Sequence, residues 1–369
     1  MSKIDDLIKE LCPEGVRFVC LDEVANLRRG SAITKKNIIP GDVPVIAGGQ
    51  KPAYFHGESN RSANIVVVAG SGAYAGFVSF WSVPVFVSDA FSIEPLDGEV
   101  ISKYIFYILK NRQTELHNLK RGSGVPHVYS RDVAKWKIPV PPLEVQKEIV
   151  RVLDSFTELE AELEAELEAR KKQYEYYRNT LLTFNKGERV EYVQIGDVCN
   201  MKRGKRVIKS QLNDAGIYPV YQNSLLPLGF FNEYNCRAGS VFMISAGAAG
   251  KIGFSDVDFW AADDCWIFDC HENLSERFLY YALKNQQNTI DSGVRRSSIP
   301  RLSRIFIENI KIPVPPLEKQ KQIVSILDKF EKLTNDLSIG LPAEIEARRK
   351  QYEYYRNKLL TFKELERSK

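Results

Sequence analysis

The chain says nearly the same thing twice. Residues 138–156 read IPVPPLEVQKEIVRVLDSF and residues 312–330 read IPVPPLEKQKQIVSILDKF, identical at 14 of 19 positions. A second match stands behind each copy: EARKKQYEYYRNTLLTF at 168–184 and EARRKQYEYYRNKLLTF at 346–362 differ at two positions. A shift of 174 carries the correspondence into weaker matches, 21–30 on 195–204 and 103–113 on 277–287. The repeating unit therefore runs from about residue 16 to 185 and again from about 190 to 362, which is two copies of one domain-plus-helix module and not a short-period solenoid. Two segments stay alike while the blocks ahead of them drift. The like segments should do one job twice, and the drifted blocks related but different jobs.

Each drifted block reads as mixed α/β. Residues 43–46, 65–69, 83–87 and 240–244 have strand composition between Gly, Pro, Ser or Asp. Residues 103–113 and 277–287 carry apolar side chains at helical spacing. Pro141-Pro142 and Pro315-Pro316 stand where a helix opens, because proline is tolerated in the first turn and not beyond it. From there Val152, Phe156, Leu159, Leu163, Leu167, Arg170, Tyr174, Tyr177, Leu181 and Phe184 step by three and four. The second copy does the same from Ile326 to Phe362, a narrow seam of the coiled-coil kind. A helix over 143–184 would be about 63 Å long at 1.5 Å per residue, the length of a strut between two globular ends. The first strut contains ELEA three times at 158–169; the second holds four more residues there and is interrupted by Gly340-Leu341-Pro342, where a helix should end and another begin. The expected divisions are domains at 1–140 and 186–314 and helical spacers at 141–185 and 315–369.

Composition sets the class. With 369 residues, 44% hydrophobic and 27% charged, the chain can build two or three cores. Six cysteines without C-x-x-C spacing read as reduced thiols. The charged N-terminus has no signal-peptide character, and the aliphatic run 65–69 is too short to cross a bilayer. A reducing cytoplasm is the expected location. The net charge of +4 does not by itself argue for nucleic acid; only its distribution can.

Enzyme motifs are missing. There is no N-P-P-Y or D-P-P-Y segment and no phosphate-binding G-x-x-x-x-G-K-[ST]; Gly247-Ala-Ala-Gly250-Lys251 has the wrong spacing, and Ile252 stands where Ser or Thr is needed. Asp263-Asp264 aligns with the single Asp89 and reads as a turn. Basic residues, by contrast, cluster at matching loop positions of both modules. The first has Arg28 and Arg29, Lys35 and Lys36, then Lys120, Arg121 and His127. The second has Lys202, Arg203, Lys205 and Arg206, then Arg295, Arg296, Arg301 and Arg304. Such clusters can neutralise phosphates, while Arg can pair with guanine and Gln or Asn with adenine. Gln50 and the matching Gln222 and Asn223 are candidates for the latter. Glu158, Glu160, Glu162, Glu164, Glu166 and Glu168 load the middle of the first strut with acid, which keeps it off a polyanion.

The doubled V-P-P-L-E-x-Q-K segments, the paired Q-Y-E-Y-Y-R-N-x-L-L-T-F helices and the drifted blocks together resemble the DNA specificity subunits of type I restriction–modification systems. The likeness covers essentially the whole chain. It implies two target-recognition domains held apart by an antiparallel, coiled-coil pair of long helices related by a pseudo-twofold repeat. Each domain would read one half of a split, asymmetric site on double-stranded DNA. The helices would dock two copies of an adenine-specific methyltransferase subunit, which restriction subunits then join. The chain would be non-catalytic, and S-adenosylmethionine, ATP and magnesium would sit on the partners. The tetrapeptide array also resembles a feature that sets the spacing between half-sites. Partner contacts are expected from Pro141, Pro142, Leu143, Gln146, Tyr174 and Tyr177, and from Pro315, Pro316, Leu317, Gln320, Tyr352 and Tyr355. The competing reading is a protein scaffold with two ligand-binding α/β domains on a coiled-coil strut; a self-sufficient methyltransferase or nuclease is disfavoured by the missing motifs.

Overall fold

A computed structural model describes residues 2–96, 98–185, 190–213, 215–336 and 339–365. The chain divides into two compact units, Met1–Leu163 with Ile345–Lys369, and Glu164–Glu344. Each unit holds one α/β module together with parts of both long helical segments.

In the first unit the order is α1 (Ser2–Leu11), β1 (Arg17–Cys20), α2 (Leu21–Val24), β2 (Ala25–Arg29), β3 (Val43–Ile46), β4 (Tyr54–His56), β5 (Ile65–Ala69), β6 (Val78–Trp81), β7 (Phe86–Val87), β8 (Ala90–Pro95), α3 (Ser102–Asn111), α4 (Gln113–Asn118), α5 (Ser130–Ala134), β9 (Lys137–Val140) and the start of α6 (Leu143–Leu181). Three small sheets form: β2-β8-β5-β6, β4-β3-β7 and β1-β9. Strand β5 shows why this sequence makes this layer. All five of its residues are buried, because Val66 and Val68 face a core shared with α3 and α6 while Ile65 and Val67 face a second, smaller core against Ile46, Val85 and Val87. A period of two with both faces apolar gives a strand sandwiched between layers. The expected strand at 83–87 shrinks to the two residues of β7.

The second unit repeats the plan: β10 (Glu191–Gln194), α7 (Ile195–Val198), β11 (Cys199–Arg203), β12 (Tyr218–Tyr221), β13 (Gly229–Phe231), β14 (Ser240–Ile244), β15 (Ile252–Ser255), β16 (Trp260–Ala261), β17 (Cys265–Cys270), α8 (Glu276–Asn285), α9 (Gln287–Ser292), α10 (Arg304–Glu308), β18 (Lys311–Val314), α11 (Leu317–Asn335) and α12 (Leu341–Leu359), whose residues from Ile345 on belong to the first unit. Its sheets, β11-β17-β14-β15, β13-β12-β16 and β10-β18, match the first module strand for strand. Both modules use the same parallel pairing inside their three-stranded sheets, β3 with β7 and β12 with β16.

The helices begin and break where the prolines and Gly340 predict. Helix α6 opens at Leu143 and α11 at Leu317, directly after the proline pairs. Helix α11 stops at Asn335 and α12 starts at Leu341, with the Gly340 amide donating to the Asp336 carbonyl at 3.0 Å. In the first unit Phe156 packs on Tyr352 and Tyr355, and Arg349 pairs with Glu160 at 2.6 Å; partner numbers fall on one helix as they rise on the other, so α6 and α12 run antiparallel. In the second unit Tyr174 and Tyr177 meet Phe330. The helical seam is joined by a stripe that the sequence periodicity did not single out. Val145, Ile149 and Leu153 are fully buried in the first module's core, as Ile323 and Leu327 are in the second. Carboxylates fasten the seats: Asp154 takes Lys103 at 2.8 Å and the Tyr107 hydroxyl, and Asp328 takes Arg277 at 2.7 Å and the Tyr281 hydroxyl at 2.5 Å. No helix among the described residues is long and apolar enough to cross a membrane.

Candidate nucleic-acid interface

Three loops converge in each module, and some of the basic candidates lie on them: Arg121 and His127 in the first, Arg295, Arg296 and Arg301 in the second. The first is a hairpin closed by reciprocal backbone hydrogen bonds, Arg121 with His127 at 3.0 and 2.8 Å in one module and Arg295 with Arg301 at 2.9 and 3.1 Å in the other. The second is the glycine turn after the central strand. Gly72 donates to the Pro126 carbonyl and Gly247 to the Pro300 carbonyl, while Val128 and Leu302 donate back to Gly70 and Ser245. Gly72 and Gly247 have φ of 80° and 85°, a left-handed conformation that only glycine holds without strain. The third loop carries Gln50 or Gln222 and Asn223. Ala248 donates to the Asn223 carbonyl at 2.9 Å, and Gly48 lies so close to the Ser71 carbonyl that a Cβ there would stand 2.4 Å from it.

The end of β2, or β11, completes the cluster. A Cβ on Gly30 would sit 2.1 Å from the Ser88 carbonyl, and one on Gly204 2.1 Å from that of Ala262, so only glycine lets the basic strand end pass over the neighbouring turn. Arg29 thereby reaches a cavity of about 290 Å³ lined also by Asp89, His127, Tyr129 and Arg131. Inside this cavity rim the His127 ring stacks on Tyr129 and the Arg131 guanidinium lies 5.1 Å from the Tyr129 ring, a cation–aromatic ladder. Buried Arg61 braces it from behind. Its guanidinium donates to the Arg29 carbonyl at 2.9 Å and to Ser92 at 2.7 Å, and burial lowers its pKa, with the Arg28 charge adding to the effect and Glu94 opposing it. Cys236 stands at the matching place in the second module, its thiol pushed up to about 12 by burial. Arg61, Asp89, Tyr129 and Arg131 carry no sequence signal beyond following or facing the basic loops. Asp263 and Asp264 act through their backbones, accepting from Arg203 Nε at 2.7 Å and from the Ser245 amide at 2.7 Å.

Charge is not equally available at all candidates. Arg28 pairs with Glu94 at 3.0 Å, Lys202 with Asp269 at 2.6 Å, Arg304 with Glu308 at 2.7 Å and Arg121 with Asp132 at 3.5 Å; Lys120 donates to the Ala73 carbonyl at 2.7 Å. Among the described residues no ion pair engages Arg29, Lys35, Lys36, Lys205, Arg206, Arg295, Arg296 or Arg301, and all eight are exposed. Lys35 and Lys36 stand apart from the three-loop cluster, on a single 3₁₀ turn at Lys35–Asn37. No group of three or more potential metal ligands occurs among the described residues.

The partner candidates divide by burial. Gln146 and Gln320 are fully buried. Gln146 donates to the Pro141 and Glu99 carbonyls, both at 2.8 Å, and accepts from the Ile101 amide at 3.0 Å. Gln320 makes the same three bonds to Pro315, Asn273 and Ser275. These glutamines tie the proline turn to the loop before α3 or α8, which corrects the expectation that they face a partner. Pro141, Pro315 and Tyr174 are buried too. Leu317 and Tyr177, 41% and 38% exposed, and Pro316 present outward surface, with Pro142, Leu143, Tyr352 and Tyr355 half-buried.

A family model described as the type I restriction modification DNA specificity domain matches residues 13–169 and 187–347. A Haemophilus influenzae protein assigned as a type I restriction enzyme specificity subunit is 30% identical, covering 94% of this chain and 96% of its own length. The type I restriction enzyme EcoR124I/EcoR124II specificity subunit of Escherichia coli is 31% identical over 72% of each chain. Among solved structures, the type I restriction–modification S subunit from M. genitalium superposes with a TM-score of 0.71 at 21% identity, covering 94% of this chain and 96% of that one.

Proposed function

Because this chain belongs to the type I restriction–modification DNA specificity family, we propose that it reads double-stranded DNA as the specificity subunit of such a complex, each module reading one half of a split, asymmetric site. The observation that carries this reading is the paired three-loop cluster. The same backbone scaffold is built twice, and its side chains agree only in part: Arg29 and Arg121 recur as Arg203 and Arg295, but His127 gives way to Arg301 and Gly122 to Arg296, and the third loop carries Gln50 in one module and Gln222 and Asn223 in the other. Equal scaffolds with unequal side chains fit unequal half-sites, whereas a symmetric dimer would read a palindrome. Unpaired Arg and Lys supply phosphate contacts, and Gln, Asn and Arg at the loop tips supply base contacts.

In this reading the chain is not itself the catalyst. The exposed parts of the proline turns and helices, Pro316, Leu317 and Tyr177 with their counterparts Pro142, Leu143 and Tyr355, dock two methyltransferase subunits, and restriction subunits join that assembly. S-adenosylmethionine, ATP and magnesium belong to those partners. The target adenine leaves the duplex to reach the methyltransferase. The ELEA array sets the distance between half-sites. Selection from a random DNA pool with the chain and its methyltransferase tests the reading. Enrichment of two short motifs at a fixed gap is expected. Recovery of no DNA motif, with protein ligands captured through the same loops, would favour the scaffold reading instead.

A further inference from the structure

The two hairpins share one feature that phosphate binding does not require. At the tip of each stands a β-branched apolar residue in water: Val125 is 57% exposed and Ile299 51%. The tips, Gly122-Ser123-Gly124-Val125-Pro126 and Arg296-Ser297-Ser298-Ile299-Pro300, share a serine and the proline and differ at Gly122 against Arg296 and Gly124 against Ser298. The apolar residue precedes proline both times. A residue before proline is restricted to extended backbone, and a β-branched side chain is restricted at χ1. The proline carbonyls are held by Gly72 and Gly247 at 2.9 and 3.1 Å, and the hairpin bases close on themselves. The backbone that carries Val125 and Ile299 is therefore fixed by the fold, and about half of each residue stays open to solvent.

One exposed valine is ordinary. Two at one structural position, in blocks whose sequences have otherwise drifted, ask for a common occupant. The surroundings exclude a purely apolar partner: Lys120, Arg121 and His127 flank one tip, and Arg295, Arg296 and Arg301 the other. The occupant is a polyanion that offers an apolar point, and in duplex DNA that point is the C5-methyl group of thymine in the major groove. Resting on the DNA-reading proposal above, we infer that Val125 and Ile299 are specificity-determining residues, each reading a thymine methyl in its own half-site.

The test replaces thymine by deoxyuridine, one position at a time, in the site selected by the chain with its methyltransferase, and measures affinity. Deoxyuridine keeps every hydrogen bond and loses only the methyl. At one position in each half-site the affinity should fall about fourfold, the amount expected for one buried methyl. Val125→Ala should abolish that fall in one half-site only, and Ile299→Ala in the other only. Both residues are exposed, so the truncations leave the core untouched. If no thymine position responds, or if the fall persists in the Ala variants, the assignment is wrong while the DNA-reading proposal stands. If the complex selects no DNA site, the broader reading has failed, and this assignment with it.

Discussion

Exchanging Gln146 for methionine separates a structural glutamine from a docking one. Methionine is unbranched and of similar size, so it refills the space while removing all three hydrogen bonds. It strands the buried Pro141 carbonyl and the part-buried Ile101 amide, both beside a side chain with no exposure. The Glu99 carbonyl is also released, but Glu99 is exposed and water can take over there. At about 1 kcal/mol or more for each buried polar group left unpaired, the loss is about 2–3 kcal/mol, a sizeable share of the roughly 5–15 kcal/mol that holds a typical domain. Gln320→Met should cost the second module the same, because its three bonds have matching lengths. Hydrogen exchange read by mass spectrometry assigns each loss to its module: Gln146→Met should deprotect β1, β9 and α3 and spare β10, β18 and α8. Unchanged protection of β1, β9 and α3, together with a clear loss of affinity for the methyltransferase, would refute the reasoning and return Gln146 to the docking surface.

Arg206→Ala should weaken DNA binding and make the slope of log affinity against log salt shallower by about 0.9, the value for one phosphate contact, whereas Arg304→Ala should leave the slope unchanged because Glu308 already engages that guanidinium; titration at several salt concentrations reads both. Acid should loosen α1. Bonds from Arg151 at 2.7 Å and Lys3 at 3.2 Å hold the Glu148 carboxyl at about 2, against an ordinary 4.5, so its stabilisation is complete above that ordinary value and is lost as pH falls from there toward 2, seen as faster amide exchange in α1. Removing one ELEA unit takes out about one helical turn, roughly 6 Å. The two half-site sequences should survive, and the preferred gap between them should change in a random-pool selection.

Much of this architecture is legible in the amino-acid sequence. The proline pairs mark the starts of α6 and α11, Gly340 marks the break, and the composition of 43–46, 65–69 and 240–244 gives three strands to the residue. These are local signals, set by backbone chemistry within a few positions. What stayed hidden is non-local. Nothing in the segment from Lys120 to His127 announces that it bonds to a glycine turn some fifty residues earlier. Gln146 looks like any polar helix residue until the carbonyl it serves, at Glu99, is placed beside it. Arg304 and Lys202 read as free cations because Glu308 and Asp269 are recognised as partners only once α10 and the β11–β17 pairing exist. Arg61 had no signal at all; its role comes from lying under Arg29.

Methylation mapping by long-read sequencing, in cells carrying this chain with its methyltransferase, bears most directly on the claim that two unlike modules read one split site. The account predicts methylated adenines within a single bipartite motif whose two halves differ and stand a fixed distance apart. A palindromic motif, one continuous motif, or the same methylation pattern after this chain is deleted would contradict it.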